Sequence, residues 1–130
     1  MAYVTLEGAI ANGDLSTSQF CAVKLTGSTA VDFEIGLCTA ATDRPIGILQ
    51  DNPNTSGHPA EVAISGICKA RFGGTIAQGD PVGLTGTVGR LTALADGATG
   101  GSSDIYVVGL SLQNGLTTGI YKVVLFGPQI

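Results

Sequence analysis

Few side chains in this 130-residue chain are equipped for chemistry: one histidine, three cysteines, ten acidic and six basic residues. His58 lies beside Pro59 in residues 51–58, the most polar stretch of the chain. A metal site needs further His or Cys ligands at workable spacing, and none pairs with His58. No Gly-x-Ser-x-Gly elbow marks a nucleophilic serine, although a Ser-His-Asp triad is assembled in space and sequence alone does not exclude one. Asp14 and Asp80 each follow an amide and a glycine, in Asn12-Gly13-Asp14 and Gln78-Gly79-Asp80. Brought together, two carboxylates could share a proton or hold calcium. The simpler reading is turn chemistry: glycine takes a positive φ and the aspartate bonds nearby N–H groups. Gly73-Gly74 opens no helical pattern, so no phosphate loop is expected. Asn54-Thr55-Ser56 matches a glycosylation sequon by letter, which means little without a secretory signal. Cys21, Cys38 and Cys68 form no Cys-x-x-Cys pair. A Cys21–Cys38 disulfide is conceivable, but free buried thiols are the simpler expectation. These residues point to no catalytic, metal or cofactor site, and so away from an enzyme.

The elements that carry these residues are short and repeat. Gly8-Ala9-Ile10-Ala11-Asn12-Gly13-Asp14 resembles Gly74-Thr75-Ile76-Ala77-Gln78-Gly79-Asp80, an offset of 74 − 8 = 66. Ile46-Gly47-Ile48 resembles Val108-Gly109-Leu110, and Thr55-Ser56-Gly57 resembles Thr117-Thr118-Gly119, at 109 − 47 = 62. The chain therefore reads as one β domain, residues 8–130, with an internal duplication (8–66 and 74–127) and an N-terminal arm, 1–7. A long period present only twice is not a solenoid. Strand candidates are 20–25, 31–37, 46–50, 61–72, 81–84, 88–94, 105–112 and 121–126. In 31–37 the alternation places Val31, Phe33, Ile35 and Leu37 on one buried face. In 61–72, with a bend at Gly66, Val62 and Ile64 are expected in the core. Glycine at position 47 implies close backbone approach or a bulge. Gly-rich turns fall at 85–87 and 96–103. No window of helical periodicity stands out; single turns at 16–20 are the only helix candidates. The fold class is all-β, a compact barrel-like or tulip-like sandwich of two related units with little or no helix.

Composition bounds the partners. Charged residues are 12% of the chain, against roughly 25% in an average soluble domain, and the mean hydropathy is +0.36. So few charges point to surface covered by identical subunits or by another protein. The net charge is −4 and the six cations are scattered along the chain, so nucleic acid is not an expected partner. No apolar run approaches the roughly 18 residues of a membrane helix, and the N-terminus lacks the pattern of a secretory signal; no membrane partner is expected.

The order Ile76-x-x-Gly79-Asp80-x-Val82, Ile46-Gly47-Ile48 ahead of a polar loop, and Gly57-x-x-Ala60-Glu61-Val62-x-Ile64-x-Gly66-Ile67 resembles the small capsid decoration (cement) proteins of tailed bacteriophages, over roughly residues 8–126. The resemblance implies a β-tulip or barrel-like fold, often trimeric, on the outer capsid surface at local three-fold positions. The partners implied are the major capsid protein of a phage and the chain itself, as a homotrimer assembled in the host cytoplasm. The family carries no catalytic or cofactor residues, and the likeness does not place residues 16–20. Within the arm, Tyr3, Val4 and Leu6 are the candidate capsid contacts, because apolar side chains and free main-chain groups can add to a neighbouring sheet edge. Gly13, Asp14, Gly79 and Asp80 are the candidate repeat turns. One alternative is a trimeric carbohydrate- or receptor-binding β module, which would favour aromatic platforms; the chain has no Trp, three Tyr and four Phe. The other is a β-clip enzyme, which would need a polar cluster at subunit boundaries.

Overall fold

The computed structural model describes residues 3–27, 33–39, 43–84, 89–93 and 107–126. Their strands are β1 (Tyr3–Thr5), β2 (Ile10–Ala11), β3 (Ala22–Leu25), β4 (Glu34–Leu37), β5 (Gly47–Leu49), β6 (Val62–Arg71), β7 (Pro81–Leu84), β8 (Leu91–Ala93), β9 (Val107–Ser111) and β10 (Ile120–Leu125). The chain is all-β, with no helix among the described residues. All ten strands join one mostly antiparallel sheet, in the order β2-β4-β3-β5-β6-β10-β9-β7-β8 with β1 on β6. The ends of that path, β2 and β8, do not pair, so the sheet is not closed into a barrel.

The long strand β6 is folded over on itself. The Gln50 N–H donates to the Glu61 carbonyl at 2.7 Å, and the Gln50 side-chain amide donates to the Lys69 carbonyl at 2.9 Å. Along a straight strand those eight residues would span about 26 Å, far beyond one glutamine side chain. The bend falls at Gly66, whose φ of 91° is open to glycine. Pairing changes there too. Val62 and Ala63 pair with β5, Ala63 to Gly66 with β1, and Gly66 to Arg71 with β10.

The two halves of the sheet repeat one another strand by strand. In the first, Val23 of β3 faces Gly47 of β5, and Ile48 faces Ala63 of β6. In the second, Val82 of β7 faces Gly109 of β9, and Leu110 faces Val124 of β10. The steps are 82 − 23 = 59, 109 − 47 = 62 and 124 − 63 = 61. Thr5 of β1 opposes Ala63 as Ile67 of β6 opposes Val124. So β1 stands in the first half where the later part of β6 stands in the second, and residues 3–5 are a strand of the sheet rather than an arm outside the repeat. Gly47 and Gly109 are equivalent for a steric reason. A Cβ at either would come closer than 3.0 Å to a carbonyl oxygen of the next strand, Ala63 or Val124.

Strand alternation sorts the side chains into two clusters. Val23, Ile35, Leu49 and Val62 pack with Ala11 and Leu15. Their counterparts Val82, Leu91 and Val123 pack with Phe72 and Ile76, and Ala22, Ile48 and Ala63 from the other face of the first half join this second cluster. Ser111 stands where Leu49 would be; it is buried, and its hydroxyl donates to the Gln113 carbonyl at 2.6 Å.

Several expectations are corrected. The Gly-Asp turns are not equivalent. Asp80 donates its N–H to Ala77 O with Gly79 at φ 89°, and the matching turn is Cys21 N–H to Ser18 O with Phe20 at φ 70°. Gly13 has no positive φ. Residues 16–20 are turns, not helix. Phe33 is not on the buried face of 31–37: it sits at φ 56° and is exposed, while Ile35 is buried. Its left-handed backbone precedes β4 and breaks the alternation. Val62 is fully buried, but Ile64 only half. Residues 31–32, the turn at 85–87 and the loop at 96–103 lie outside the described residues.

Gly47→Ala and Gly109→Ala should each destabilise the fold by about 1–3 kcal/mol or more in chemical denaturation, as overpacking does. Gly13→Ala, with no neighbour within 4 Å of its Cβ, should be neutral or stabilising by about 0.4–1 kcal/mol. Equal effects at all three positions would contradict the steric account.

Candidate functional site: an exposed face on the shared strand

The side chains that could do chemistry are kept apart. His58 lies in an exposed loop, where its N–H donates to Thr55 O and its carbonyl accepts from Ala11. Asp14 accepts from the Ser16 N–H at 2.9 Å. Hydrogen bonds from the Ser16 side chain and backbone hold its carboxyl below the usual carboxylate range. Asp80 accepts instead from Ala77 at 3.1 Å. Neither hydrogen bond brings the two aspartates together. Among the described residues no three His, Cys, Asp or Glu side chains gather as a metal site. Cys21, Cys38 and Cys68 are free and buried. Burial is the main cause that pushes Cys38 and Cys68 up to about 12, because a thiolate loses hydration there.

The candidate contacts of the N-terminal strand differ in what they can offer. Tyr3 packs against the larger core cluster, and its hydroxyl donates to the Glu61 carboxylate. That hydrogen bond is the main cause raising the phenol to about 12. Leu6 packs on the smaller cluster and donates its N–H to Val62 O at 3.0 Å. Val4 alone of the three shows a mostly exposed side chain, at 56%. Among the described residues strand β1 pairs with β6 only, on one of its two main-chain edges; an edge left unpaired in this way can take an added strand.

Beside it lies a face that sequence reading did not assemble. In the paired strands β6 and β10, Ile67 opposes Val124, Lys69 opposes Lys122, and Arg71 opposes Ile120. These side chains point outward, while Cys68, Ala70, Val123 and Leu125 point into the core. Ile67 and Ile120 are 41% and 39% exposed. A cleft of about 360 Å³ runs along the bend, lined by Tyr3, Phe20, Gln50, Ile67, Lys69 and Lys122. Like charges directly opposite across a sheet are destabilising. Neither Lys69 nor Lys122 has an ion-pair partner among the described residues. Apolar side chains framed by unpaired cations can receive an apolar surface that carries carboxylates. The signal was present as alternate positions 67, 69 and 71 of one strand; only the pairing with β10 adds Ile120 and Lys122.

Comparison of the sequence with protein-family models and with curated proteins finds no match. Among solved structures the chain is similar to the head fiber gp8.5 N base of bacteriophage phi29. The TM-score is 0.65 at 15% identity, over 94% of this chain and 93% of that one. The likeness is one of fold, and it extends over nearly the whole of both chains.

In the folded protein the cysteines should resist a chromogenic disulfide reagent at pH 8 and react once the chain is unfolded. Because the folded thiols of Cys38 and Cys68 ionise above their unfolded value, their contribution to stability is complete below about pH 9. It should fall away as the pH rises from there to about 12. Rapid labelling of all three thiols in the native protein would refute their burial.

Proposed function

We propose that the chain is a structural protein of a phage virion, which binds the outer surface of the head at lattice three-fold positions as a homotrimer and stabilises the shell without catalysis. The near-complete fold likeness to a phage head fiber base carries the reading. Three features of this chain support it. Charge is scarce, at 12%, as suits a surface covered by protein. The face of β6 and β10 offers Ile67 and Ile120 on either side of the unpaired Lys69 and Lys122. The second edge of β1, with Val4 exposed, pairs with no strand among the described residues and could take an added strand. Many equivalent lattice sites multiply a weak contact, since linked subunits engage together. A ligand that favours the intact shell stabilises it by mass action.

Light scattering should give about three times 13.0 kDa, and a concentration-independent monomer would remove the homotrimer. Heads mixed with the protein should rupture at a higher temperature than bare heads; equal temperatures would remove the stabilising role. Val4→Glu, at an exposed position, should leave the unfolding midpoint nearly unchanged while lowering occupancy on heads. Full occupancy by that variant would take β1 out of the contact. Deleting 1–7 is the poorer test, because it removes a strand of the sheet.

A further inference from the structure

On the same side of the molecule as the Phe20 turn, a second cleft of about 320 Å³ is lined by Thr17, Ser18, Cys21, Leu37, Arg71 and Arg90, and its walls are mostly polar. We propose that Arg71 and Arg90, with the hydroxyls of Thr17 and Ser18, form a binding site for a single oxyanion of the carboxylate or phosphate class.

The backbone sets Arg71 and Arg90 beside each other, and both line the cleft. Phe72 bridges Leu91 in parallel, and the arginines are the residues just before each. The Arg71 N–H is held by Phe20 O at 2.7 Å, and one guanidinium nitrogen reaches Thr118 O at 3.3 Å. The Arg71 side chain also hydrogen-bonds the Cys21 thiol, and the remaining donors of its five-donor fork are left for a ligand. Arg90 is fixed by its neighbour Gly89, whose carbonyl accepts from Ala22 at 2.7 Å. Gly89 has φ 66°, and a Cβ there would come within 2.7 Å of Cys21 Cβ, so glycine permits the close approach. Arg90 has no hydrogen-bond or ion-pair partner among the described residues.

The fold does not itself demand two arginines here. In the first half, Ala11 pairs with Ile35 in parallel as Phe72 bridges Leu91, and the preceding residues are Ile10 and Glu34. That framework accepts an apolar–acidic pair, with Glu34 bonded to the Thr26 hydroxyl at 2.8 Å. The second half holds a like-charge pair instead, which costs stability unless an anion joins it. Among the described residues no Asp or Glu lines the cleft. Both arginines act to lower the Cys21 thiol, but burial outweighs them and raises it, so the group stays neutral. Charge is also divided between the halves. Residues 1–61 hold seven acids and two bases (2 − 7 = −5), and residues 62–130 hold three acids and four bases (4 − 3 = +1), which sum to −4. An anion is therefore drawn to the second half. Two adjacent guanidinium forks match the planar edge of a carboxylate or the face of a phosphate.

The test is thermal unfolding of the full chain in sodium phosphate, and separately with a tetraglutamate peptide, each against sodium chloride at equal ionic strength. The parent should unfold at a higher temperature with at least one of the two, by linkage. A rise with phosphate alone assigns the site to a free oxyanion. A rise with the peptide at lower concentration assigns it to the carboxylates of a protein partner. Arg90→Gln should bind the same probe about ten-fold or more weakly, the loss of a charge-assisted pair, and Arg90→Lys should restore part of the effect. In sodium chloride alone, Arg90→Gln should unfold at the parent temperature or above, since a like-charge contact is gone. No rise over chloride with either probe, or an undiminished rise in Arg90→Gln, would overturn the proposal.

Discussion

The structure depends on one bent strand. Residues 62–65 of β6 complete the first half of the sheet, and residues 66–71 begin the second. Only a residue free of Cβ strain can turn a continuously paired strand so sharply, and Gly66 at φ 91° stands at that point. Because the strand is shared, the halves cannot part as two domains would. The rear of the first half, through Ala22, Ile48 and Ala63, is committed to the core of the second. The Gly89 contact with the Cys21 and Leu37 side chains of the first half follows from this closeness. At Gly47 and Gly109, where neighbouring strands of one half lie backbone on backbone, there is no volume left for a methyl group.

The same arrangement decides what the surface can do. A sheet folded about one strand buries both faces of its first half, and small side chains such as Ala11, Ala22 and Ala63 fill those layers. The later part of β6 and β10 are covered on one face only. Four of the six cations that are scattered along the sequence collect there: Lys69, Arg71 and Lys122 on this face, and Arg90 beside it. An acidic chain thus carries a local basic strip, and the strip adjoins Tyr3 of β1 across a shared cleft. Exposed apolar area and unpaired cations lie together there.

How far this was legible depends on what kind of constraint each residue obeys. The long β-prone run of 61–72 reveals β6, and the apolar runs around 46–50 and 121–126 reveal β5 and β10, because buried strands leave short apolar stretches bounded by turn residues. Gly47 and Gly109 were legible as a pair since both answer to the same steric contact. The Gly-x-Ile-Ala-x-Gly-Asp match was not informative. Gly, Asp and Asn recur in turns for local reasons, and at 66 residues the match cuts across the steps of 59 to 62 that the hydrogen bonds obey. Phe33 misled because its backbone turns left-handed just before β4, which an apolar pattern does not record. The basic strip needs the β6–β10 register, a long-range pairing that no local pattern encodes.

An internally repeated fold also provides its own control. Each position in one half has a counterpart in the same chain, under the same backbone geometry. Where the counterparts agree, as at Gly47 and Gly109, the framework requires the residue. Where they differ within the core, as Leu49 and Ser111 do, packing is met in two ways, one by an apolar side chain and one by an internal hydrogen bond. Where they differ at the surface and the difference is unfavourable, neither framework nor packing explains it. Ile10 beside Glu34 is a neutral solution, and Arg71 beside Arg90 is a costly one at the same place in the sheet. By that reasoning Arg71 and Arg90 answer to neither framework nor packing, which is the ground for the oxyanion site proposed there.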